Sequence, residues 1–168
     1  LFVMGKNTWR DEYEWPLERT EWTKFYLSSN GNAADDGGSL STEIKTIDQT
    51  SDSFTYDPED PVPSIGSQYQ TFDFCGPRDR SHIQLRPDVL TFTTDVLTED
   101  LEITGPISAT VWASSDAIDT DFTATLTDLE PEGKAIALCE GIVRARFRDG
   151  TENPQMIIPG KIYKFDID

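Results

Sequence analysis

A chain of 168 residues with 31 acidic and 14 basic side chains carries a formal charge of −17, which repels nucleic-acid phosphates and anionic membrane surfaces and excludes both as partners. The hydrophobic fraction is 36%, low for a folded chain, but the 18 aromatic residues, four of them tryptophan, supply enough bulk for one core and one domain over residues 1–168. No apolar run reaches the roughly 20 residues needed to span a bilayer, and no signal-peptide pattern opens the chain, so a cytoplasmic location is the default expectation.

Read in chain order, the dominant period is two. The chain begins in a strand-like run, "LFVMG", and "EWTKFYL" sets Thr23, Phe25 and Leu27 on one side as a strand would. The Gly, Asn and Asp-rich stretch 30–41, "NGNAADDGGSLS", reads as a surface loop without a core face. Further on, "ISATVWA" places Ile107, Ala109, Val111 and Ala113 opposite Ser108, Thr110 and Trp112. "FTATLTD" sets Phe122, Ala124 and Leu126 against Thr123, Thr125 and Thr127, and "IVRARFR" sets Val143, Ala145 and Phe147 against three arginines. "KIYKFDID" repeats the arrangement with Tyr163, Phe165 and Ile167. Turn signals separate these runs. The clearest is "DLEPEGKAIAL", where Pro131 suits the second position of a turn and Gly133 the positive φ that follows it. Short strands at this spacing predict an all-β fold, a jelly-roll β-sandwich.

Candidate chemistry is sparse. There is no G-x-S-x-G nucleophile turn, and the single histidine, His82, has no serine singled out as its partner. Asp116, Asp119 and Asp121 crowd one strand start in "SSDAIDTDF". They lack the spacing of a calcium loop, and hydrogen bonding that shapes the turn is the favoured reading over an ion site or catalysis. Cys75 and Cys139 match no metal motif and read as two buried thiols. Trp9, Trp15, Trp22 and Trp112 are read first as core or interface residues, with a free-standing carbohydrate-binding module as the alternative function.

The order of "FVMG", "WR", "WP", "YDPEDPVPSIG", "RPDVLTF", "LEITGP", "SSDAIDTDF" and "GIVRARFR" resembles the C-terminal domain of the cocaine esterase and Xaa-Pro dipeptidyl-peptidase family of serine hydrolases, from the first residue to the last. That resemblance implies a galactose-binding-domain-like jelly roll that is not itself catalytic. It also implies an α/β-hydrolase domain in the same parent chain that carries the nucleophile and acts on a small ester or amide substrate. The family normally continues beyond "KIYKFDID", so the fold is expected to lack its last strands, with an open sheet edge through which copies could associate. The resemblance further implies that the loop after "DPVPSIG" nears the acyl pocket, which makes Tyr69 and Phe72 the candidate substrate-pocket residues. It assigns no catalytic residue, metal or cofactor to these positions.

Overall fold

The computed structural model describes residues 1–35, 37–44, 50–66 and 75–168. Their regular structure is nearly all strand. In chain order the elements are β1 (Phe2–Val3), β2 (Thr8–Trp9), β3 (Tyr26–Ser28), β4 (Gly38–Ser41), the one-turn helix α1 (Ser81–Gln84), β5 (Phe92–Thr93), β6 (Ala109–Ala113), β7 (Asp121–Leu129), β8 (Ala135–Arg144) and β9 (Tyr163–Ile167). Among the described residues no helix is long and apolar enough to cross a membrane.

The strands form four small sheets: β1–β2, β3–β4–β5, β6–β9 and β7–β8. All pairs are antiparallel except β4 with β5. The longest pair is the hairpin read from "DLEPEGKAIAL". Its loop closes through Glu130 N–H to Lys134 O and Gly133 N–H to Glu130 O, each 2.8 Å, and Gly133 takes φ +83°. A side chain there would be strained, whereas proline at 131 costs no needed donor. The register slips once, between Leu126 and Thr127, so Leu138 bulges outward and is exposed.

The β6–β9 and β7–β8 ribbons bury one face each against the other. Ala145, Ile157 and Phe165 form the buried cluster, with Val111, Ala113, Phe122, Val143 and Tyr163 packed around it. The Phe122 and Phe165 rings lie 4.5 Å apart between centroids, tilted by 40°. The alternation expected of "ISATVWA" and "KIYKFDID" holds within β6 and β9, where Ala109, Val111, Ala113, Tyr163, Phe165 and Ile167 are buried or half-buried and Thr110, Trp112, Lys164 and Asp166 face out. Ile107, before β6, is exposed, and in "FTATLTD" Thr125 and Thr127 are half-buried like Ala124 and Leu126. Gly141 allows the close crossing of β8 under the chain at Asp168, since a Cβ there would sit 2.6 Å from the Asp168 carbonyl oxygen.

Three expectations are corrected. "EWTKFYL" is a strand only over its last residues and in the opposite phase: Phe25 and Leu27 are exposed while Ser28, in the β3–β4 ladder opposite Ser39, is buried, since successive side chains of a strand point to opposite faces. The stretch 30–41 is not merely a loop. It supplies a 3₁₀ turn at Ala33–Asp35, with Ala33 fully buried and held by Asp52 Oδ1 accepting its N–H at 2.8 Å, and then the central strand β4. "IVRARFR" leaves the strand after Arg144 and coils into a 3₁₀ turn at Ala145–Phe147. The cause is Asp119, whose carboxylate takes the Arg146 N–H away from any strand partner.

Candidate docking surface

Among the described residues, no nucleophile–base arrangement is assembled around His82. It lies exposed on α1 at the edge of an open hollow of about 400 Å³, with Thr55, Arg86 and three aspartates on its walls and no serine among the described lining residues. Arg86 spans that hollow. Its guanidinium donates to Asp88 at 2.8 Å and to the Asp60 carbonyl at 2.7 Å, and the arginine holds the Asp88 carboxyl below the usual carboxylate range. Arg86 is thereby committed to Asp60 and Asp88.

The aspartates of "SSDAIDTDF" do structural duty. Asp119 accepts the Arg146 backbone N–H at 3.0 Å and its Nε at 2.6 Å. Asp121, directly across the ladder from Arg144, takes Nε at 2.7 Å and Nη2 at 2.9 Å, a two-pronged pair that lowers its pKa. Asp116 is exposed. The cluster therefore fastens the start of β7 to the end of β8, and no group of metal-binding side chains occurs among the described residues.

A second polar cluster escaped the sequence reading. Arg80 is buried and donates Nη1 to Glu140 on β8, which also accepts from Ser64 Oγ at 3.1 Å and Thr125 Oγ1 at 3.0 Å. Residues Arg78–Arg80 run along the start of β8, with Arg80 N–H to Ala135 O and Ala137 N–H to Arg78 O at 2.8 Å, which carries Arg80 inward. Glu140 thus ties Ser64 and Arg80, on either side of residues 67–74, to the hairpin. The candidate pocket residues Tyr69 and Phe72 lie outside the described residues. Cys75 and Cys139 are half-buried rather than buried, and burial pushes the Cys139 thiol up.

What stands out is apolar surface. None of the four tryptophans is core: Trp9, Trp15, Trp22 and Trp112 are 81%, 56%, 70% and 68% exposed. The first 27 residues alone show nine large exposed apolar side chains, from Leu1 to Leu27, with Tyr13 fully exposed among them. The Phe2 and Trp9 rings meet across β1–β2 with centroids 5.4 Å apart, tilted by 57°, and both side chains remain exposed. Exposed apolar clusters of this kind mark surfaces that meet another protein body.

The whole chain, residues 1–168, matches the X-Pro dipeptidyl-peptidase C-terminal non-catalytic domain. The chain belongs to that family. Cocaine esterase of Rhodococcus sp. (strain MB1 Bresler) is 49% identical to it over 172 residues, covering 100% of the chain and 30% of the esterase. The crystal structure of an aminopeptidase from a marine sediment Thaumarchaeota archaeon superposes with a TM-score of 0.78 at 26% identity, covering 99% of the chain and 29% of the aminopeptidase. This C-terminal non-catalytic domain therefore spans under a third of the length of these relatives. The all-β reading and the absence of a nucleophile motif agree with that membership.

Proposed function

We propose that the chain is the supporting module of a serine hydrolase acting on ester or amide bonds, packed on an α/β-hydrolase catalytic domain of the same polypeptide. The observation that carries this reading is the aromatic surface of residues 1–27, where uncovered tryptophan and tyrosine side chains supply the anchors a stable domain interface needs. In the intact enzyme the serine ester, its histidine base and the oxyanion donors belong to the catalytic domain. The module contributes a wall: Tyr69 and Phe72, which lie in sequence between Ser64 and Arg80, line the acyl side of the substrate site.

Mixing experiments test the reading. The chain alone should not turn over 4-nitrophenyl acetate. It should bind the separately produced catalytic domain, with Trp9→Ser or Trp15→Ser weakening that binding about tenfold or more. In the reconstituted enzyme, the Tyr69→Ala/Phe72→Ala pair should change KM or acyl-chain preference without lowering the melting temperature. Turnover by the chain alone that a serine-directed inhibitor abolishes would reverse the reading.

Trp112 favours one second reading. It stands on the outer face of β6 opposite Lys164, beside Thr110 whose Oγ1 donates to Asp166 at 2.6 Å, so a sugar ring could stack there with polar groups at its rim. That carbohydrate-binding role requires saccharide-induced quenching of tryptophan fluorescence that Trp112→Ala removes. Identical titrations for the two proteins would end it.

A further inference from the structure

We propose that residues 1–22 form a detachable aromatic strap, held on the β body by an ionic clamp centred on Glu102. Within this segment the only regular structure is β1 paired with β2, and the backbone bonds described close on the segment itself, Arg10 N–H to Leu1 O and Thr20 N–H to Leu17 O. Apart from the local bond from Thr23 Oγ1 to the Glu21 carbonyl, every hydrogen bond and ion pair described between the segment and the rest of the chain ends on Glu102 or Thr104. Arg10 Nη2 donates to Glu102 Oε1 at 2.8 Å, Lys6 Nζ lies 3.7 Å from Glu102 Oε2, and Thr20 Oγ1 donates to the Thr104 carbonyl at 3.2 Å. Glu102 is in turn fixed by the Thr104 hydroxyl, 3.0 Å away.

The strap has its own internal brace. Glu12 receives both Arg10 and Arg19, so the side chain that reaches Glu102 is oriented before it docks. Leu17 is the single buried apolar residue of the segment, whereas Trp9, Tyr13, Trp15 and Trp22 are exposed. A segment whose attachment is one apolar anchor and a set of solvent-accessible charges opens at far lower cost than a strand packed in the core. The clamp therefore sets how the aromatic surface is presented. Its consequence for docking rests on the function proposed above, but its existence does not.

Limited trypsin digestion of the full chain, read by mass spectrometry, tests the clamp directly, because Lys6 and Arg19 are themselves cleavage sites within the strap. Glu102→Gln should raise cleavage after Lys6 and Arg19 about tenfold while leaving cleavage after Arg146 and Lys161 unchanged. Moderate sodium chloride should accelerate strap cleavage in the parent chain and have little effect on the variant, since the screened interaction is already gone. Equal strap cleavage in the two proteins, or a parallel rise at Arg146, would overturn the proposal, as would salt-independent cleavage of the parent chain. Failure of the chain to bind a catalytic domain would leave this result standing and count against the docking role alone.

Discussion

Phe165→Ala is expected to lower unfolding free energy by about 3–5 kcal/mol, the largest effect of any single truncation here. Phe165 is the one large side chain wholly removed from solvent among the described residues, and it sits where the β6–β9 ribbon meets the β7–β8 ribbon. Its ring contacts Phe122, so the deletion leaves a cavity shared by both ribbons, and neither can collapse without losing register with its partner strand. Chemical denaturation followed by circular dichroism should show the midpoint falling with little change in slope. Phe122→Leu, which keeps most of the volume at a half-buried position, should cost clearly less. Equal losses for the two variants would mean that the core is not centred on Phe165.

Glu140→Ala is expected to cost about 3 kcal/mol, because it strands a buried charge. Arg80 would keep only the Ile65 carbonyl at 3.4 Å as a described acceptor for Nη1, while Ser64 and Thr125 would lose the oxygen their hydroxyls reach. Replacing both charges, Arg80→Met with Glu140→Leu, should recover most of the loss, since the desolvation penalty of the pair disappears with it. A double-mutant cycle on unfolding free energies checks this. Additive losses would show that the two side chains act separately and that Glu140 is not the tie between Ser64, Arg80 and the hairpin.

The elements legible in the sequence were those whose two faces differ. Val111, Phe122, Val143 and Phe165 alternate with threonine, tryptophan, arginine and lysine, and this contrast survives folding because one face of each ribbon is solvated. The hairpin was legible because Pro131 and Gly133 each have a conformational reason to be where they are. The first third was not. Its strands are two to four residues long, too short to express a period, and its inward positions include Ser28 and Ala33, which hydropathy does not mark. The Arg80–Glu140 tie was hidden for a different reason. The partners stand 60 positions apart, and nothing in either neighbourhood signals that an arginine will be drawn inside. For the aspartates of "SSDAIDTDF" the residues suggested shape over chemistry. The bonds of Asp119 and Asp121 to arginine agree, and the way Asp119 ends the strand at Arg144 could be seen only once the backbone was in place.

The nesting of the two ribbons also sets an order of assembly. β7 and β8 are joined by a tight turn and can zip within microseconds as a local hairpin, whereas β6 pairs with β9, placing Ala109 opposite Ile167 across the entire length of that hairpin. Closing such a long excursion costs chain entropy before any contact compensates it, so the outer pair condenses late, on a template already formed. Early in refolding the inner faces of Phe122 and Val143 are therefore bare, and at high protein concentration that interval is when copies of the chain would meet one another first.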